Sequence, residues 1–159
     1  MVLTRHTPPD ELASRVRAVT APPEQFVDQI NGREADRLHD RGVLVAIGGH
    51  GQQPGLAAHW ELWSHVRGGA TPIQALRCGT IEGAQIYGFR DIGSLEPGKL
   101  ADLVILDADP TQDIRNSDDI DKVMINGRLY DAATLNEEVT GDRRRQPYFW
   151  EQGTAAGGQ

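Results

Sequence analysis

Cysteine is almost absent from this chain. Cys78 is the sole one in 159 residues, so no disulfide can form within it. Its neighbours Ala75, Leu76 and Ile81 mark it as a small buried hydrophobe, and no base is paired with it in a motif, which argues against a nucleophilic thiol. Long apolar runs are missing too. No stretch approaches the ~20 residues of a membrane-spanning helix, and Met1 to Asp10 has no apolar core of a secretory leader. Aromatics make up only 6% of the sequence and hydrophobic residues 38%. Basic charge is in deficit, with 16 Lys and Arg against 23 Asp and Glu, a formal net charge of −7. That balance argues against electrostatic binding to nucleic acid, which needs a basic face. Arg143-Arg144-Arg145 is the local exception and reads as a solvated charge run. Length is also limiting. The chain suits one domain and falls short of a complete (β/α)₈ barrel, which takes about 250 residues.

What is present divides into helices followed by strands. Asp10 to Val19 suits a short helix between two proline pairs. From Pro23 to about Arg41, Phe26, Ile30, Ala35 and Leu38 recur at helical spacing, with Pro23 in the first turn and Gly42 placed as a C-terminal cap. Val43-Leu44-Val45-Ala46-Ile47 is a continuous apolar run bounded by glycines. It reads as a strand covered on both faces, as in a parallel sheet, and it ends in the glycine-rich turn Gly48-Gly49-His50-Gly51-Gln52. A helix is expected from Pro54 to Arg67 with Leu56, Trp60, Trp63 and Val66 on its apolar face. Thr71-Pro72-Ile73-Gln74 carries the signals of a capping box with proline at the first position. Thr80 is placed to cap one more short helix, stopped by Gly88.

Beyond Gly88 the periodicity shortens. Ile92–Leu95 and Leu100–Leu106 read as strands joined by the turn Glu96-Pro97-Gly98-Lys99. Lys122–Ile125 and Arg128–Tyr130 flank Asn126-Gly127, the strongest short hairpin signal. From about Asn136 the chain turns polar, except for Pro147-Tyr148-Phe149-Trp150, which is expected to dock on a surface. One parallel strand cannot form a sheet, and about four short strands make a marginal sandwich. The residues thus describe an incomplete fold, or one that pairs with another chain.

Several of these segments resemble the amidohydrolase superfamily. Ile92-Gly93-Ser94-Leu95-Glu96-Pro97-Gly98-Lys99-Leu100-Ala101-Asp102-Leu103-Val104-Ile105-Leu106-Asp107 is similar to its C-terminal signature. Thr71 to Arg77, then Thr80, Gly83-Ala84 and Gly88, resemble the helices after the eighth barrel strand, and Val123 to Tyr130 the final hairpin. The resemblance covers roughly residues 24–135 in the family's order. Gly48 to Gln52, His59 to Trp63 and Pro147 to Glu151 are similar to a narrower imidazolonepropionase-like or prolidase-like subgroup, some of whose members are fused to TolB-like propellers.

The resemblance implies an α/β fold: the last βα unit of a metal-dependent hydrolase (β/α)₈ barrel in residues 1–88, part of a flanking small β-sandwich in 89–135, and a tail with an aromatic docking segment in 136–159. It implies hydrolysis of C–N bonds, in a cyclic amide, another non-peptide amide or an Xaa-Pro peptide, by a metal-activated water. The divalent metal would be zinc by family habit. Its ligands, a His-x-His after the first strand, a carboxylated Lys or Glu in mid-barrel and two later histidines, would lie on strands before residue 1. No metal ligand is therefore assigned here, and the chain alone is expected to be inactive. The implied partners are a small-molecule substrate and either the missing barrel half or a second copy, with no nucleic acid and no membrane span. Competing readings are a non-catalytic module that associates through exposed sheet edges and a decayed gene fragment.

In the family the eighth strand usually ends in an Asp acting as general base, and here the matching position is His50. An imidazole at a strand's C-terminal end can take a proton from water; the plain alternative is a histidine that only bonds the glycine turn. Gln52, His59 and Glu61 are candidate substrate contacts. His59 and Glu61 stand two apart, so one helix would aim them to different sides, and the plain alternative for Glu61 is a solvated helix residue. Trp60 and Trp63 read as core. His6, His39 and His65 read as surface residues, and Asp102 and Asp107 as capping or turn residues.

Overall fold

The computed structural model describes residues 3–15, 21–49 and 55–152. Helix α1 spans Pro9–Arg15, α2 Val27–His39, α3 Leu56–Gly68, α4 Pro72–Cys78 and α5 Ile81–Ile86. Strands β1 (Leu103–Leu106), β2 (Ile120–Ile125) and β3 (Arg128–Asp131) form an antiparallel sheet in sequence order, and a 3₁₀ turn at Ile114–Asp118 leads into β2. Helices precede strands, as the change of periodicity predicts.

Local signals act where they were expected. Gly42, at φ +79°, ends α2. Its N–H reaches the His39 carbonyl at 2.9 Å and that of Val43 reaches Leu38 at 3.1 Å, the paired bonds of a Schellman stop. Thr71 opens α4 with a complete capping box, its Oγ1 accepting from the Gln74 N–H at 3.3 Å while Gln74 Oε1 accepts from the Thr71 N–H at 2.7 Å. Asn126 and Gly127, at φ 48° and 75°, turn β2 into β3, as a two-residue hairpin with positive φ at both positions requires.

Other expectations need correction. Thr80 does not cap α5; its hydroxyl donates back to the Leu76 carbonyl at 2.7 Å. Ile92–Leu95 is not a strand but a bend folded onto α5, where a Cβ on Gly93 would lie 2.9 Å from that of Ala84. The second expected strand shortens to Leu103–Leu106. Val43–Ile47 is in no ladder among the described residues. Its Ile47 N–H reaches the Cys78 carbonyl at 3.4 Å, while Val43 and Leu44 stay 47% and 45% exposed. A strand needs neighbours, and the described residues supply none.

Helices α2 and α3 cross at backbone contact. A Cβ on Gly32 would run into the Ser64 carbonyl, and one on Gly68 into the backbone of Gly32 and Arg33. Ser64 Oγ donates to the Asp28 carbonyl at 2.6 Å, and Arg67 pairs with the Asp28 carboxylate at 2.7 Å. The core lies beyond, where Leu62, Ala75 and Ile114 meet, with Ile47, Trp63, Val66 and Leu76 against them. It thus joins α3, α4, the 3₁₀ turn and the end of the Val43–Ile47 segment.

The tail folds back on itself. Glu137 is buried, and its carboxylate accepts from the Thr140 hydroxyl and from the N–H groups of Thr140 and Gly141, bonds that hold its pKa below the usual range. Tyr148 stacks on Trp150 with centroids 4.3 Å apart, and its hydroxyl meets His6 Nδ1 at 2.7 Å. Phe149 remains in solvent.

Candidate functional site

Among the residues expected to carry chemistry, His50 and Gln52 lie outside the described residues. His59 and Glu61 are both on α3, and the helix aims them apart. Glu61 reaches back to the glycine turn: its Oε2 accepts from the Gly48 N–H at 2.6 Å and its Oε1 from the Gly49 N–H at 2.8 Å. It is a tether, rather than a freely solvated helix residue. His59 faces the 3₁₀ turn, with Nδ1 3.0 Å from Ser117 Oγ. The same hydroxyl accepts from Trp63 Nε1 at 3.1 Å, and that indole also donates to the Ile114 carbonyl at 3.0 Å. Burial lowers the His59 pKa, and the Asp118 charge only partly opposes it.

A cleft of about 500 Å³ opens between α2, α3 and the Val43–Gly49 segment, with Ala35, Val45, Ala46, Trp60, Glu61 and His65 in its walls. His59 is not part of it. Trp60, expected in the core, is 47% exposed at the cleft. His65, expected at the surface, is buried. Desolvation lowers its pKa; Glu61 and Asp36 pull it up, and His39 pushes it down again. Buried imidazole favours its neutral form.

Behind the segment is a charged cluster that was not foreseen. Glu82 is 1% exposed, and its Oε1 lies 3.0 Å from His39 Nε2 and 3.2 Å from Arg77 Nε. Burial pushes its pKa up, but hydrogen bonds from His39 and Arg77, with the charge of His39 and the Val45 N–H, outweigh it, so the net shift is downward. Burial, and then Glu82, push the Cys78 thiol up to about 11. His39 is therefore hydrogen-bonded to a buried carboxylate, not a free surface residue, and His6 is likewise bonded, to Tyr148 and to the Ala132 carbonyl at 3.0 Å. Spacing held a signal for Glu82: Ala75, Cys78 and Glu82 stand at i, i+3 and i+7, which continues the buried side of α4 into α5.

Among the described residues no three His, Cys, Asp or Glu side chains converge to hold a metal ion.

The sequence profile of the amidohydrolase family matches residues 31–130. The chain belongs to the amidohydrolase family. That stretch runs from α2 through the cleft to β3, and so contains the glycine turn, both α3 candidates and the Glu82 cluster. An imidazolonepropionase from Deinococcus deserti is 37% identical over 82 residues, 49% of this chain and 21% of that protein. A solved Xaa-Pro dipeptidase with methionine bound in its active site superposes with a TM-score of 0.56 at 28% identity, over 65% of this chain and 25% of that one. An amidohydrolase from Thermotoga maritima MSB8 does so with a TM-score of 0.54 at 26% identity, over 86% of this chain and 34% of that one. This amidohydrolase chain therefore spans about a tenth to a third of the relatives it matches. It is a partial α/β fold with a three-stranded sheet, similar to one part of those enzymes. No helix among the described residues is long and apolar enough to cross a membrane.

Proposed function

We propose that this chain is the C-terminal portion of a metal-dependent hydrolase acting on C–N bonds. Residues 1–88 would supply the last βα unit of its barrel, residues 89–135 part of its small β-sandwich, and 136–159 a docking tail. The carrying observation is the Val43–Gly49 segment. It is apolar, backed on one side by α3, α4 and Glu82, without a ladder partner among the described residues, and it ends in a turn fixed by Glu61. An apolar segment without sheet neighbours is what a barrel strand becomes when the adjacent strands are not in the polypeptide.

In this reading His50, at the strand's C-terminal end, handles the proton of the attacking water, and Gln52 contacts the substrate. His59 braces α3 against the 3₁₀ turn and borders the substrate region from there. Zinc is the metal that best fits the family, with its ligands on barrel segments outside this sequence. The names of the relatives suggest substrates to try: an Xaa-Pro dipeptide and an imidazolone propionate.

The test compares the purified 159-residue chain with a polypeptide in which the same residues follow the earlier βα units and so complete the barrel. Both are assayed on these substrates with and without added zinc. The longer protein should turn over at least one of them and lose activity to a chelator, while the short chain should show none. Metal-dependent turnover by the short chain as a monomer would refute the proposal, as would a complete barrel inert on every C–N substrate tried.

A further inference from the structure

Glu61 has both carboxylate oxygens committed. Each accepts one of two consecutive backbone N–H groups, those of Gly48 and Gly49. Successive N–H groups of this kind form a concave donor pair that binds anions, and here a side chain of the same molecule fills it. The N–H groups nearer the helices have backbone partners: Val43 reaches Leu38 and Ile47 reaches Cys78. For Gly48 and Gly49 the partner among the described residues is Glu61. Both are glycines, which retain the most backbone freedom of any residue. A turn built this way has little of its own to hold its shape.

The other end of the tether is rigid. Glu61 precedes Leu62, which is buried in the core against Ala75 and Ile114. Two residues on, Trp63 bonds the 3₁₀ turn. Where a Cβ would project from Gly49, the backbone N of Ala58 is 3.6 Å away, so α3 also walls the turn from below. The carboxylate thus carries the fixity of the core to the residue just before His50.

We infer that Glu61 is a positioning residue: its carboxylate fixes the Gly48-Gly49 turn at the end of the Val43–Ile47 segment, and it does not itself hold substrate. The inference rests on the proposed hydrolase reading, in which that strand end carries the chemistry. A misplacement of about 1 Å at such a site can cost about a hundred-fold in rate, while substrate affinity is set elsewhere in the pocket.

Two measurements test it, on Glu61→Ala and Glu61→Gln. The first is amide hydrogen exchange in the chain, followed at Gly48 and Gly49, with α4 as internal control. In Glu61→Ala both glycines should exchange about ten-fold faster or more, the effect of losing hydrogen bonds to a charged acceptor, with α4 unchanged. Glu61→Gln keeps one carbonyl acceptor and should fall between. If the alanine variant also loses protection in α4, the glutamine variant decides. Exchange like that of the unaltered chain in both variants would overturn the inference. The second is steady-state kinetics of the complete hydrolase carrying the same substitutions. Here kcat should drop by about ten- to a hundred-fold while KM stays within about two-fold, and glutamine should restore part of kcat. A raised KM with unaltered kcat would assign Glu61 to substrate binding and sink the inference. A complete hydrolase without turnover would instead remove the functional reading, and the exchange data would still decide whether the tether exists.

Discussion

Replacing Gly32 by alanine sets two known effects against each other at the α2–α3 crossing. In an isolated helix the change would help, since alanine is favoured over glycine by about 0.8–1.0 kcal/mol. At this crossing the new methyl would lie 2.8 Å from the Ser64 carbonyl carbon and 3.3 Å from the His65 Cα, where unstrained carbons sit about 3.5–4.0 Å apart. The obstacle is backbone, so no side chain can rotate away. The helices must separate by roughly 1 Å, which disturbs the Ser64 bond to Asp28 and the cleft wall. Overpacking of this kind costs about 1–3 kcal/mol, and a backbone clash belongs at the upper end. The net expectation is a loss of about 2 kcal/mol. At about 2–4 °C per kcal/mol for a chain of this size, the melting temperature by circular dichroism should fall by roughly 4–8 °C. Gly42→Ala is the contrast. Nothing lies within 4 Å of its Cβ direction, so only the strain of φ +79° remains, about 1–2 kcal/mol. A Gly32→Ala variant that melts at or above the unaltered chain would refute the close crossing.

Acid should destabilise the fold in two stages. His59 and His65 have folded pKa values below their ordinary 6.5, so the unfolded chain binds more protons there, and their contribution, complete above about pH 6.5, is lost as pH falls further. Glu82 is depressed below its ordinary 4.5, so its contribution is complete above about pH 4.5 and is lost below it. Melting temperature against pH should show both limbs; His65→Gln should flatten the upper one and Glu82→Gln the lower. A flat profile from pH 7 to 5 would contradict the histidine assignments, and one that stays flat well below pH 4.5 would contradict that of Glu82. Cys78, at 3% exposure with its thiol pushed up to about 11, should resist alkylation at pH 8 in the native state and react fully in denaturant. Fast native labelling would place it elsewhere.

Sequence and structure agree best where a signal closes on itself within a few residues. The Thr71 capping box, the Gly42 stop and the Asn126-Gly127 hairpin each need only hydrogen bonds that close over two to five positions. Agreement fails where the outcome depends on distant partners. Val43–Ile47 has the composition of a buried strand but no neighbour to pair with among the described residues. Ile92–Leu95 has strand-like composition, yet Gly93 lets it pack onto α5 instead. The same holds for side chains. Polar surroundings in sequence suggested surface positions for His39 and His65, but the partners that bury them, Glu82 and the α2–α3 crossing, come from 43 residues away or from across a helix pair. The Glu61 tether spans 13 residues, too far for any local pattern to announce, and it depends on donors that belong to the backbone and leave no trace in side-chain identity.

His6 and Tyr148 are 142 positions apart and share a 2.7 Å hydrogen bond. A single imidazole therefore brings the beginning and the end of the described polypeptide to the same patch of surface. His6 and Tyr148 thus lie side by side at one face of the molecule. Reporters attached beside His6 and beside Tyr148 would read that proximity from the folded state, and the signal should weaken once the imidazole is replaced by a side chain that cannot reach the phenol.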